Sequence, residues 1–119
     1  MSIVPRQLVW YEVNSYVHSQ ILKTLLEMMR VDNFDSITIS RLTAKAEVGR
    51  ASFYRNYQTK EDVLRQEAER LNNELNNIRR NDDPNDYRLK LLRTLDFYKA
   101  NSDFYMTIYN AAASASAFS

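Results

Sequence analysis

Within the seven residues 50–56, Arg50, Ala51, Ser52, Arg55 and Asn56 bring together guanidinium, methyl, hydroxyl and amide groups. These are the groups that read nucleic acid: guanidinium and amide pair with purine edges in the major groove, hydroxyls bond edges or phosphates, and a methyl lets backbones approach closely. Reading a groove requires a rigid support. Phe53 and Tyr57 lie four residues apart between the polar positions, the spacing of one helix face, so the rings can anchor the segment while the polar row faces outward. Just upstream, Ile39, Leu42 and Ala46 repeat at three and four residues and predict a second helix of about two turns. Val48, between the two patterns, is placed to plug the angle of the turn. Two short helices around a tight turn and a shared core make a device for reading DNA.

Net charge is +1, which alone says little about partners, but its distribution says more. Between Thr38 and Lys60 the basic residues Arg41, Lys45, Arg50, Arg55 and Lys60 stand against Glu47 alone. From Glu61 onward acids outnumber bases, ten to eight, so positive charge gathers where phosphates would be met.

The segment resembles the tetracycline-repressor (TetR) family of transcriptional regulators, through Thr38, Leu42, Ala46, Val48, Ser52, Phe53, Tyr54, Tyr57, Lys60 and Leu64. The register extends upstream through Ile21, Leu22, Leu25, Met29, Asn33 and Phe34, so the resemblance covers roughly residues 17 to 65. It implies an all-α fold with a TetR-like three-helix helix-turn-helix domain over residues 1–60, followed over 61–119 by a long connecting fourth helix and a shortened C-terminal helical region for ligand binding and dimerisation. It also implies that Tyr54 contacts the DNA backbone and that Lys60 binds phosphate at the start of the long helix.

Three positions depart from the family pattern. Asn33 stands where a Gly often closes a helix in left-handed conformation, and Asn tolerates that conformation next best. Glu47 takes the usual turn Gly, at a cost of about 1 to 2 kcal/mol if the positive φ is kept. Gly49 replaces a Ser or Thr cap, a loss of only a few tenths of a kcal/mol by typical cap rankings.

One Gly and two Pro in 119 residues leave little punctuation for hairpins, so helices should carry nearly everything. The absence of Cys excludes disulfides and thiolate metal sites, and His18 is the only imidazole, so no metal or cofactor is expected. No run is apolar enough to span a bilayer, and residues 1–13 lack the basic and apolar regions of a signal peptide, which makes cytoplasm the default and a membrane partner unexpected. Neither a phosphate-cradling glycine loop nor a nucleophile set is present, and the acid pairs Glu61-Asp62 and Asp82-Asp83 read as helix-start and cap residues. An enzyme is not expected.

The elements that must position the polar row follow from the same periodicities. Trp10, Val13, Val17, Ile21, Leu25 and Met28 predict a first helix from about Leu8 to Arg30, and Thr38 is placed to cap the second. Thr59, with the acids that follow, predicts a capped long helix whose seam is Leu64, Ala68, Leu71, Leu75 and Ile78. Residues 81–86 break it. Leu89, Leu91, Leu92, Leu95 and Tyr98 then give a helix apolar over a wide arc. A last helix, capped by Ser102, carries Phe104, Tyr105, Ile108 and Tyr109, and the small-residue tail 111–119 has no assigned role.

The expected function is a sequence-specific transcriptional regulator, a repressor that binds a near-palindromic double-stranded operator as a homodimer, with a small-molecule effector of unknown identity. Arg50, Ser52 and Asn56 are the base-edge candidates, with Ala51 admitting close approach. Thr38, Ser40, Tyr54 and Lys60 are the phosphate candidates, Arg41 adds basic charge, and Arg55 suits either task. The alternative is a helical interaction module that keeps the fold but pairs with another regulator through the Leu64–Ile78 seam or the aromatic C-terminal helices.

Overall fold

A computed structural model describes residues 6–81 and 85–117, with side-chain exposure for residues 14–80 and 85–114. Among the described residues there are helices and no strands. In chain order they are α1 (Arg6–Val31), a 3-10 turn (Phe34–Ser36), α2 (Ile39–Ala46), α3 (Arg50–Asn56), α4 (Lys60–Asn81), α5 (Tyr87–Ala100) and α6 (Ser102–Ala117). The chain divides into two compact units, one up to Leu64 and one from Arg65.

The first unit forms around the apolar face of α1. Val17, Ile21, Leu25 and Met28 bury that face against Ile37, Leu42, Ala46, Phe53, Tyr57 and Val63, with Leu22, Phe34, Ile39, Val48 and Leu64 packed around the edge. Trp10 and Val13, expected on the same face, lie outside the residues whose side chains are described. Helices as short as α2 and α3, at eight and seven residues, are marginal alone and persist because this core holds them.

Local bonds set the ends of the elements. Thr38 Oγ1 accepts the Arg41 amide at 3.1 Å and caps α2. Before α4, Thr59 Oγ1 accepts the Asp62 amide at 3.2 Å while Asp62 Oδ2 accepts the Gln58 and Thr59 amides at 2.8 and 3.2 Å, a capping box built on the shorter acid. Asp86 caps α5 by accepting the Leu89 amide at 3.0 Å.

Several expectations change. Asn33 has φ −64° and ψ 131°, extended and not left-handed, because its side chain accepts from the Asp35 amide and opens a 3-10 turn that the sequence did not announce. Ser102 is the first residue of α6 and does not cap it; Asn101 precedes it, its amide group folded back to the Phe97 carbonyl at 2.9 Å. On α4, Leu71 and Leu75 are buried, Ile78 is half-buried, and Ala68, expected in the seam, is exposed. Residues 82–84 of the expected break, and the last two residues of the tail, lie outside the described residues.

In the second unit, Leu71, Leu75, Phe97, Phe104 and Thr107 are buried, and α5 packs on α6 with the Tyr98 and Tyr105 rings 5.2 Å apart. The solvent side of α4 is laced by Arg65–Glu69 at 2.9 Å and by Arg70, which pairs with Glu67 at 2.6 Å and Glu74 at 3.1 Å. The hydrogen bond to Glu67 is the main cause that raises the Arg70 guanidinium above its ordinary pKa. Burial pushes the Tyr105 phenol upward, helped by Tyr98, Glu67 and Glu74.

Candidate nucleic-acid interface

The turn between α2 and α3 begins where α2 ends. Glu47 has φ 58° and ψ 40°, the only positive φ on a non-glycine residue among those described. Its amide donates back to Ala44 at 3.3 Å and the Val48 amide to Thr43 at 3.1 Å, so the last carbonyls of α2 are satisfied by a Schellman-type closure. The chain then reverses, and Val48 returns to the core half-buried. The positive φ that Gly would adopt freely is therefore kept by a glutamate, held there by the closure and the packing on either side. Replacing Glu47 with Gly relieves about 1 to 2 kcal/mol of backbone strain and returns part of it as unfolded-chain entropy. We expect Glu47→Gly to raise the unfolding free energy by about 1 kcal/mol in urea titrations, with no change in the slope. An unchanged or lower midpoint would contradict stored strain at this turn.

Gly49 begins α3 with φ −67° and ψ 148°, an extended conformation open to any residue, and makes no side-chain cap. A Cβ there would meet nothing within 4 Å. The glycine leaves the start of α3 uncovered.

Phe53 fixes which face of α3 looks inward. Its ring is fully buried, packs 5.2 Å from Tyr57, and meets Tyr54 edge-on at 5.4 Å. Tyr57 is buried too, but it is extended and lies just past the end of α3, where its amide donates to the Phe53 carbonyl at 2.9 Å. Its hydroxyl meets Nδ1 of His18 on α1, and the two rings stand edge to face at 5.1 Å. His18 therefore braces the end of α3. The sequence assigns His18 no role beyond excluding a metal site, although a buried phenol asks for a polar partner and His18 neighbours the core residue Val17.

With the rings inward, the residues expected to meet DNA divide into two groups. Thr38, Ser40, Arg41, Arg50, Ala51, Tyr54 and Arg55 are exposed, Tyr54 at 54%. Ser52 and Asn56 are half-buried, and the Asn56 amide donates to the Ser52 carbonyl at 2.9 Å, along its own helix. Arg50 donates to the hydroxyl of Ser40, which links the first residue of α3 to the first turn of α2. Arg41 pairs with Asp32 at 3.0 Å at the end of α1, so part of its charge is neutralised in place. Lys60 differs most from its expected role. Its ammonium turns back into the protein, donating to the carbonyls of Phe34 at 2.6 Å and Ile37 at 2.9 Å, with the Phe34 ring 4.6 Å away.

The arrangement is an exposed cationic and hydroxyl-bearing face on two short, core-anchored helices. The described residues hold no group of three or more His, Cys, Asp or Glu able to bind a metal, and no helix long and apolar enough to cross a membrane. Residues 21–66 match the family model described as bacterial regulatory proteins, tetR family. No curated protein and no solved structure matches the chain significantly.

Proposed function

We propose that the chain, whose residues 21–66 match the family model of tetR-family bacterial regulatory proteins, is a DNA-binding transcriptional regulator of that kind and acts as a homodimeric repressor on a near-palindromic operator. The observation that carries this reading is the sidedness of the segment: Phe53 on α3 and Tyr57 just past its end are buried while Arg50 and Arg55 face solvent. Two such helices, one from each copy, would enter successive major grooves about 34 to 36 Å apart. Arg50, Ser52 and Asn56 would read base edges, Thr38, Ser40 and Tyr54 would hold phosphates, and Arg55 either. Bound there, the protein would repress by occluding transcription.

Pairing of two copies is supported by the second unit. Leu91, Leu92 and Leu95 on α5 and Met106 and Tyr109 on α6 are each more than half exposed, an apolar surface that a second copy would cover. For a small-molecule effector we propose the open cleft of about 290 Å³ between α4 and α5, lined by Glu74, Ile78, Arg93, Asp96 and Phe97.

Selection from randomised duplexes tests the assembly and the reading together. The expected product is an inverted repeat with half-site centres about 10 base pairs apart or a multiple of that, bound by a dimer in sedimentation at micromolar concentration. Leu92→Glu with Leu95→Glu should shift the protein to monomer and weaken the selected duplex far more than a random one. Enrichment of a single unrepeated site by a monomer would overturn the dimer.

A further inference from the structure

We propose that Lys60 is a positioning residue that sets the entry to α2, and that it serves DNA binding without touching DNA; this rests on the regulatory reading above. Its ammonium makes two charge-assisted hydrogen bonds to backbone, at 2.6 Å to the Phe34 carbonyl in the 3-10 turn and 2.9 Å to the Ile37 carbonyl, and sits 4.6 Å from the centre of the Phe34 ring. Three attachments to one half-buried ammonium account for most of its bonding capacity. With both carbonyls held, one N–H is left to the ammonium, and the Phe34 ring lies beside it, so a phosphate would have to compete with contacts already made.

What those carbonyls control is the peptide before Thr38. The Ile37 carbonyl and the Thr38 amide are opposite edges of one planar trans unit, so drawing the oxygen towards Lys60 turns the Thr38 N–H the other way. Thr38 then caps α2 through its hydroxyl and carbonyl, accepting the Arg41 and Leu42 amides at 3.1 and 3.0 Å, and it lies on the exposed side with Ser40. Phe34 is tied in as well, since its carbonyl also accepts the Ile37 amide at 3.1 Å. At the other end, Lys60 is fixed because it opens α4 inside the capping box of Thr59 and Asp62. The clamp therefore joins the first turn of α4 to the cap of α2, across 22 residues that include the whole reading pair.

The test compares Lys60→Met, which keeps the stem and loses charge and donors, with Lys60→Arg, which keeps both. In the free full-length protein, Lys60→Met should speed amide exchange at Arg41 and Leu42 by about tenfold, the equilibrium equivalent of roughly one charge-assisted hydrogen bond, while amides of α1 keep their rates. Affinity for a random-sequence duplex should fall by about the same factor at every salt concentration, with the log-affinity against log-salt slope unchanged. Lys60→Arg should recover most of both losses. A slope made shallower by about 0.9 with unchanged exchange would make Lys60 a phosphate contact and overturn the proposal. Faster exchange throughout the unit would overturn it as well, by making Lys60 a general stabiliser. If the unaltered protein binds no duplex, the regulatory reading fails, and the exchange comparison decides the clamp by itself: equal rates at Arg41 and Leu42 refute it.

Discussion

Phe53→Ala should unfold the first unit under conditions in which the unaltered protein is folded. The ring is fully buried among Leu25, Leu42 and Tyr57 and the other residues of the core, and truncations of this kind cost about 3 to 5 kcal/mol. A unit of some 64 residues has roughly 3 to 10 kcal/mol in all. The loss is therefore comparable with the whole stability, and a midpoint lower by about 15 to 30 °C is expected in melting followed by circular dichroism. Tyr54→Ala, at the adjacent but half-exposed position, should leave stability within about 0.5 kcal/mol. The contrast matters because α3 is only seven residues long and cannot hold a helix without its anchors. If the two variants melt alike, the inward orientation of Phe53 is wrong, and with it the outward orientation of Arg50 and Arg55.

That orientation is readable in the sequence, because Phe53 and Tyr57 share the four-residue spacing of one helix face while Tyr54 lies off it, and a short helix must bury the face that carries its ring pair. The same holds for α1, where the four- and three-residue steps through Val17, Ile21, Leu25 and Met28 leave no other face to bury. Less legible were features that depend on two distant segments meeting. The His18–Tyr57 contact spans 39 residues and the Lys60–Phe34 bond 26, and neither has a local periodicity. Lys60 shows the difficulty well: a lysine at a helix start beside a basic segment suits a phosphate, and only the position of the Phe34 and Ile37 carbonyls reveals that the ammonium is already engaged. Asn33 misled for a related reason. Its residue type suits a left-handed helix end, but its side chain found a nearer use by accepting the Asp35 amide, and Glu47 carries the positive φ instead. The buried strip of α4 does not extend to Ala68, since a small side chain adds little to a strip defined by Leu71 and Leu75.

The electrostatics of the reading face are also more structured than a count of charges suggests. Five basic residues occur between Thr38 and Lys60, yet Arg41 is paired with Asp32 and Lys60 with backbone carbonyls. Lys45, Arg50 and Arg55 remain as exposed cations of the two helices. If phosphates are met by these three cations alone, the proposed DNA binding should show a modest salt dependence, and sequence preference would rest more heavily on the base edges.

Arg50→Ala is accordingly expected to have the largest effect on which sequences are bound. Arg50 is the first residue of α3, exposed, and follows a glycine with no side chain to obstruct approach. Its bond to Ser40 holds the guanidinium at the mouth of the two helices in the free protein, and exchanging that surface bond for a bidentate contact to guanine O6 and N7 loses little. Removing the guanidinium should cost about 1 to 3 kcal/mol against the preferred base, some 5- to 150-fold per half-site, and should flatten preference at that one position in duplexes selected from a random pool. Because the proposed homodimer would use the residue twice, the loss on an inverted repeat should approach the square of the loss on one half-site. Tyr54→Phe provides the comparison: deleting a hydroxyl that meets a phosphate should weaken all sequences alike and leave the selected consensus intact. An unchanged consensus for Arg50→Ala, at unchanged affinity, would place base readout elsewhere on α3, and Ser52 and Arg55 would then be the residues to replace next.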